Sequence, residues 1–140
     1  MNDIAIRSPD GFRIRHTMLR VRDLDRSIDF YTRLLGMGVM RRRPNADPDG
    51  VVAYLGYGEE DGNHALELLE DADNSEAYDS GTGYGHIALA VPDIYALSEM
   101  LEKEGVDFIL APEPIRPGSP NIVAFIRDPD GYEIELTERH

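Results

Sequence analysis

Apolar and polar positions along the chain predict a strand, a helix and three further strands in its first half. Residues 14–21 alternate between the two kinds of side chain, as in a strand with one buried face. Asp23 follows as a helix N-cap, and apolar side chains then recur at helical spacing up to Gly36, namely Leu24, Ile28, Tyr31 and Leu35. Apolar segments predict the remaining strands, at residues 37–42, 50–57 and 64–70.

The second half of the chain repeats this order. A strand through Ile87, Leu89 and Val91 leads to Asp93, and the helix after it ends at Gly105. Three strands follow, at residues 107–110, 121–127 and 132–137, with a turn at 128–131 between the last two. The pattern therefore predicts an α+β fold of two tandem βαβββ modules.

The domain organisation follows from where the repeat begins and ends. The modules span about residues 14–70 and 84–138, and the polar segment 71–83 links them. We expect them to form one domain over residues 14–140, preceded by an N-terminal arm at residues 1–13. Polar or proline-rich stretches at residues 45–50 and 111–120 predict loops.

Composition narrows the chemistry that such a domain can perform. The chain has 140 residues and no cysteine, so a bound metal must be held by nitrogen and oxygen atoms. Its formal net charge of −13 argues against a nucleic-acid surface, which needs concentrated positive charge. No apolar run approaches the roughly 20 residues of a membrane span, and no secretory signal begins the chain. We therefore expect a cytoplasmic protein.

Two histidines and two glutamates occupy matching places in the two modules. His16 and His86 each stand at the start of a first strand, and Glu67 and Glu135 each lie between apolar neighbours in a last strand. Glu133 shares a strand face with Glu135, so alternation alone leaves both open, and the repeat selects Glu135.

His64 lies three residues before Glu67, which on a regular strand puts the two side chains on opposite faces. His64 is therefore not expected to join the glutamate as a ligand. Two imidazoles and two carboxylates related by a pseudo-twofold would form one N₂O₂ metal site, which several divalent ions accept.

Five segments carry a resemblance to a known family. They read His-Thr-Met-Leu-Arg-Val (16–21), Ser-Ile-Asp-Phe-Tyr (27–31), Leu-Gly-Met (35–37), Gly-Tyr-Gly-His-Ile-Ala-Leu (83–89) and Asp-Pro-Asp-Gly-Tyr-Glu-Ile-Glu-Leu (128–136). Over about residues 14–138 the chain thus resembles the vicinal oxygen chelate superfamily, and within it the glyoxalase I (lactoylglutathione lyase) enzymes of the short bacterial type. The resemblance implies curved mixed sheets, and a homodimer with active sites at the subunit interface.

The resemblance also implies a metal and a reaction. One divalent ion per site, Ni²⁺ with Co²⁺ or Zn²⁺ as alternatives, would be held by His16, Glu67, His86 and Glu135. The reaction would be isomerisation of the methylglyoxal–glutathione hemithioacetal to S-D-lactoylglutathione. Glu135 is the expected base for the productive epimer, and Glu67 the possible base for the other.

Four residues are expected to bind the glutathione part of the substrate. Arg20 matches the family's glutathione-binding arginine. Asp71 stands where the family commonly has asparagine, a departure for which Asn74 offers a substitute. Arg116 lies near the family's mobile basic loop.

Two other functions stay open at this point. Another metal-dependent superfamily member, such as a thiol transferase, an epimerase or a ring-cleaving dioxygenase, would use the same scaffold. A metal-free member would instead sequester a small molecule. The four ligand positions favour isomerisation, since ring cleavage usually goes with three ligands and sequestering members typically lack these positions.

Overall fold

The computed structural model describes residues 11–46, 49–73 and 75–140 and divides them between two similar modules. The first contains β1 (His16–Arg20), α1 (Leu24–Asp29) with a π-helical turn after it (Phe30–Leu34), β2 (Gly38–Ala46), β3 (Asp49–Gly56) and β4 (Ala65–Asp71). The second contains β5 (Ile87–Ala90), α2 (Ile94–Lys103), β6 (Phe108–Pro114), β7 (Ile122–Arg127) and β8 (Glu133–Glu138).

Each module folds into one four-stranded mixed sheet. The strand orders are β1-β4-β3-β2 and β5-β8-β7-β6, so both sheets have the same topology. The first and last strands of a module are parallel neighbours, and the other pairs are antiparallel. The predicted α+β architecture of two βαβββ modules is confirmed.

Aspartate side chains begin both main helices as the sequence predicts. The side chain of Asp23 accepts a hydrogen bond from the Arg26 amide, and Asp93 does the same for Ala96. The first helix differs from the prediction, because its second half is a wider π-helical turn. Thr32 donates its hydroxyl proton to the Ile28 carbonyl at 2.6 Å, a side-chain bond that competes with the α-helical pattern.

Two predicted loops are partly wrong, since strands extend into both. The segment 45–50 was expected to be a loop, but β2 runs to Ala46 and β3 begins at Asp49. The segment 111–120 begins as the end of β6. Both extended strands lie at sheet edges, where proline is tolerated because one side of the strand needs no partner.

One hydrophobic core joins the two modules. It includes Leu19, Leu55 and Leu68 from the first module, and Ile134 and Leu136 from the second. Burial of these apolar side chains holds the sheets together. Neither helix in the described part of the chain is long and apolar enough to cross a membrane. The first ten residues of the predicted arm lie outside the described residues.

The turn before β8 fastens the second module to the first. Tyr31 donates its hydroxyl proton to Asp128 at 2.5 Å, and both residues are buried. Asp130, whose side chain is 1% exposed, accepts from the Arg22 amide and the Ser27 hydroxyl. We call residues 128–132 the clasp.

Candidate active site

Two parallel strands bring the first histidine and glutamate together. His16 opens β1, and Glu67 lies on β4, where it pairs with Met18. Residues 16 and 18 share a strand face, so the imidazole and the carboxylate project from the same side of the sheet. His16 Nε2 lies 2.9 Å from Glu67 Oε1.

The second module repeats this pair. Glu135 on β8 pairs with Ala88, two residues after His86, and His86 Nε2 lies 3.5 Å from Glu135 Oε1. An aromatic ring supports each histidine edge-on: Tyr54 contacts His16 and Phe125 contacts His86. Tyr54 also pairs with Glu67 across the sheet, as Phe125 does with Glu135.

The four predicted ligands thus form two pairs within one chain. Within residues 11–46, 49–73 and 75–140, no group of three or more His, Cys, Asp or Glu side chains is placed to hold a metal ion. The imidazoles are 34% and 41% exposed and the carboxylates 15% and 22%. Each pair is therefore open to a further ligand, but supplies only half of an N₂O₂ set.

The separation within each pair suits a shared ion. Two atoms about 2.1 Å from one ion, at an angle of about 90–110°, lie about 3.0–3.4 Å apart. The observed separations are 2.9 Å and 3.5 Å. Imidazole nitrogen and carboxylate oxygen also suit the same divalent transition metals. The residues present fit a divalent transition-metal ion.

The predicted substrate residues are only partly brought together. Arg20 Nη1 lies 3.3 Å from Asp71 Oδ2, which also accepts from the Tyr78 hydroxyl at 3.1 Å. Asp71 Oδ1 is buried and has no hydrogen-bond partner in the described structure. Asn74 lies outside the described residues. Arg116 is exposed in the turn after β6, in the second module.

His64 and the clasp fix the position of the backbone on both sides of the first pair. The His64 ring nitrogens hydrogen-bond the Thr17 hydroxyl at 2.9 Å and the Ile14 carbonyl at 3.1 Å, so this imidazole anchors the chain before β1. Tyr132 of the clasp donates its hydroxyl proton to the Arg20 carbonyl at 2.8 Å. The backbone that carries Arg20 is thereby tied to the second module.

Three side chains near the first pair were not predicted. Arg41 stacks its guanidinium 3.8 Å from the centroid of the Tyr54 ring and binds Glu60 at 2.7 Å. The hydrogen bond from Arg41 lowers the pKa of Glu60 below its ordinary value. Arg43 donates to the Tyr54 hydroxyl at 3.0 Å. The triple arginine at 41–43 is visible in the sequence, but only the strand register shows which members face the site.

Known proteins are similar to this chain over most of its length. The sequence pattern of the Glyoxalase/Bleomycin resistance protein/Dioxygenase superfamily matches residues 13–136. The chain is 46% identical to the lactoylglutathione lyase of Haemophilus influenzae over 126 residues, 89% of this chain and 91% of that protein. It is 44% identical to the probable lactoylglutathione lyase of Vibrio cholerae over 90% of each chain.

A solved structure is similar as well. Glyoxalase I from Zea mays superimposes with a TM-score of 0.84 and 42% identity over 91% of this chain. This chain spans 44% of the maize chain, which is thus more than twice as long as the part that matches.

Proposed function

Since the chain belongs to the Glyoxalase/Bleomycin resistance protein/Dioxygenase superfamily, we propose that it is a metal-dependent lactoylglutathione lyase. It isomerises the hemithioacetal of methylglyoxal and glutathione to S-D-lactoylglutathione, which detoxifies methylglyoxal. The observation that carries this proposal is the matched pair of His–Glu half-sites on equivalent strands, at 2.9 Å and 3.5 Å. Relatives that match about nine-tenths of the chain and are named for this activity support it.

A second copy of the chain completes the metal site. His16 and Glu67 of one copy meet His86 and Glu135 of the other, so a homodimer has two sites at its interface. The exposure of both edge strands supports this: Met18 on β1 is 41% exposed, and Ala88 on β5 is exposed. These surfaces are available for a partner, as a closed twofold assembly requires.

The four residues hold one divalent ion, for which we propose Ni²⁺, with Co²⁺ and Zn²⁺ as alternatives. The resemblance to the short bacterial enzymes supports nickel, and the N₂O₂ donor set suits all three ions. When bound, the ion acts as a Lewis acid, which polarises the two adjacent oxygens of the substrate.

The glutamates move the proton. In the hemithioacetal, one carbon carries the hydroxyl and the sulfur, and its neighbour is the ketone carbon. A carboxylate removes the proton from the first carbon and returns it to the second, while the hydroxyl proton passes from the first oxygen to the second. The product is a thioester with a new secondary alcohol, and no atom is gained or lost. Glu135 is the base for one epimer of the substrate, and Glu67 is the base for the other.

Arg20 and Asp71 bind the γ-glutamyl end of glutathione. That end is an α-amino acid zwitterion, with a carboxylate next to an ammonium group. A guanidinium and a carboxylate 3.3 Å apart offer the complementary charges. Asn74 and Arg116 are the further contacts that we propose for the tail. The reaction requires a reduced thiol, which fits a cytoplasmic enzyme.

Removal and return of the metal tests the proposal. The purified protein is stripped with a chelator, reconstituted separately with Ni²⁺, Co²⁺ or Zn²⁺, and assayed for thioester formation from methylglyoxal and glutathione. We expect no turnover without metal, recovery with Ni²⁺ above the other ions, and loss in Glu67→Gln and His86→Ala. Absence of turnover with every ion would refute the assignment.

A further inference from the structure

Three side chains in contact with one another support the first histidine of the site. The rings of His16 and Tyr54 meet edge to face, with their centroids 5.5 Å apart. The Arg41 guanidinium lies 3.8 Å from the centroid of the Tyr54 ring, and Arg41 Nε donates to Glu60 Oε1 at 2.7 Å. We call Glu60, Arg41 and Tyr54 the brace. It connects the turn before β4 with the imidazole of His16.

The aromatic ring is the fixed member of the brace. Tyr54 is 2% exposed and packs in a small apolar cluster with Val52, Ala65 and Leu69. Arg43 donates to the Tyr54 hydroxyl at 3.0 Å, which holds the far end of the ring. Close-packed side chains keep one position, so this ring offers the imidazole beside it a surface of fixed orientation.

The carboxylate of the brace is placed at a cost in stability. Glu60 Oε1 binds Arg41, but Glu60 Oε2 is buried and has no hydrogen-bond partner in the part of the chain that the structure describes. Burial of an unpaired carboxylate oxygen lowers the free energy of unfolding. The contribution of Glu60 to stability therefore does not explain its position, whereas its hold on Arg41 does.

The brace adds no net charge beside the first His–Glu pair. The hydrogen bond from Arg41 lowers the pKa of Glu60, the positive charges of Arg15 and of protonated His16 act in the same direction, and desolvation opposes them. The carboxylate therefore stays ionised and offsets the guanidinium charge. An unopposed guanidinium at this place would repel a divalent cation. This argument rests on the proposed function, in which the first pair holds such an ion.

The second half-site has apolar groups where the first has the brace. Phe125 lies opposite the second ligand glutamate, as Tyr54 lies opposite the first. The register then pairs Phe125 with Leu110, where it pairs Tyr54 with Arg41. A leucine side chain offers neither a charge for the aromatic ring nor a donor for a carboxylate.

The counterpart of Glu60 has a different partner. Glu60 stands seven residues before the first ligand glutamate, and Asp128 stands seven residues before the second. Asp128 accepts from the Tyr31 hydroxyl, so this carboxylate joins the two modules. The brace thus belongs to the first half-site, although the two His–Glu pairs are alike.

We propose that Glu60 is a positioning residue of the first half-site, which acts through Arg41 and Tyr54 to orient the His16 imidazole for a divalent metal ion. The carboxylate holds the guanidinium over the ring, and the ring sets the plane of the imidazole. Partners of this kind keep a metal ligand in its binding orientation, and their loss weakens metal binding by about 10- to 100-fold.

Metal binding by the full chain tests this role without turnover. The metal-free protein is titrated with Co²⁺ in competition with a chelating indicator. We expect Glu60→Gln, which keeps the shape of the side chain, to weaken binding by about 10-fold. Glu59→Gln is the matched control, because it removes the same charge from the adjacent exposed residue. It should change binding by less than about 2-fold, since solvent screens an exposed charge.

A double variant shows whether Glu60 acts through Arg41. Arg41→Met keeps a long unbranched side chain and removes the guanidinium. In this background Glu60→Gln should weaken Co²⁺ binding by less than about 3-fold, because the two residues act as one unit. A loss of about 10-fold in both backgrounds would mean that the carboxylate acts on the ion by its charge alone, which would overturn the inference.

The orientation of the imidazole can be measured directly by NMR of the metal-free protein. The Tyr54 ring current shifts the ring protons of His16, and in Glu60→Gln we expect these signals to move towards those of free histidine. The signals of His86, which lies beside Phe125, should stay in place. Unchanged His16 signals and unchanged Co²⁺ affinity in Glu60→Gln would overturn the inference and leave the proposed function intact. A wild-type protein that turns over no hemithioacetal with any ion would instead overturn the proposed function.

Discussion

At the scale of single residues, the proposed function assigns the ion pair between Arg20 and Asp71 to substrate binding. Arg20 is a cation in a chain of net charge −13, and the adjacent carboxylate offsets that charge. A pair of this kind weakens attraction for a simple anion but suits a zwitterion. Asparagine, which the family commonly has at position 71, would leave the arginine charge unopposed.

Substitution of Asp71 tests this reading. For Asp71→Asn we expect KM for the glutathione hemithioacetal to rise about 3- to 10-fold with little change in kcat, because a charge-assisted hydrogen bond to the ammonium group is lost. A thiol that lacks the α-amino group should show no such rise. Steady-state assays with both thiols measure it, and an equal rise with both would contradict the role of Asp71.

At the scale of elements, close packing of β3 against β4 sets the position of Asp71. Gly50 pairs with Asp71, and a Cβ atom on Gly50 would lie 2.1 Å from the Glu70 carbonyl oxygen and 3.1 Å from the Asp71 Cα. Both are backbone atoms, which cannot rotate away. The side chain of Glu70 accepts a hydrogen bond from the Leu24 amide at 2.7 Å, so this part of β4 also contacts the start of α1.

Gly50→Ala should therefore disturb both stability and binding. We expect the free energy of unfolding to fall by about 1–3 kcal/mol, as for other overpacked sites, and KM to rise as Asp71 moves. Urea denaturation and steady-state kinetics measure the two effects. Gly62→Ala is the matched control, since a Cβ there meets nothing within 4 Å, and it should change stability by less than about 0.5 kcal/mol.

Local signals explain why most elements could be predicted. These signals act over a few neighbouring residues, so the sequence alone shows them; they are the alternation of the strands, the Asp23 and Asp93 caps and the turn at residues 128–131. The sequence does not show that β2 extends past Asn45 or that β6 extends past Ala111, because these extensions depend on which strands become sheet edges. The partners of Arg41 and Arg43 depend on register between distant strands, which no local pattern fixes.

At the scale of the whole molecule, the clasp couples stability to pH. Burial raises the pKa of Asp128 above its ordinary value of 3.8, although hydrogen bonds from Tyr31 and the Tyr132 amide oppose the shift. The folded state therefore holds this proton at a pH where the unfolded chain has lost it. The stability that Asp128 contributes is complete below the unfolded pKa and declines as pH rises through the folded pKa.

Asp128→Asn should remove this dependence. Relative to the wild type, the free energy of unfolding of the variant is expected to increase as pH rises from 4 through the raised pKa, and then to level off. Urea denaturation at several pH values measures the difference. Asp61→Asn, at an exposed position, is the control. A difference that stays constant with pH would show that Asp128 has the same pKa in both states.

The assembly of the active site can be tested by mixing damaged chains. One variant carries His16→Ala and Glu67→Gln, and the other carries His86→Ala and Glu135→Gln. If sites form between copies, each variant alone is inactive, and a mixed dimer regains one intact site. Random exchange should restore about one quarter of wild-type activity, since half of the dimers are mixed and each has one good site of two. A mixture that stays inactive after verified exchange would rule out the shared site.

The two turns that precede the last strands of the modules occupy equivalent places in the repeat. Glu67 and Glu135 are 68 positions apart (135 − 67), so the clasp at residues 128–132 corresponds to residues 60–64. There Glu60 binds Arg41, and His64 anchors Thr17. The equivalent turns therefore make different contacts: residues 128–132 join the two modules, and residues 60–64 contact strands of the first sheet. Neither turn carries the residues that make the other's contacts, so exchanging the two segments would break both sets.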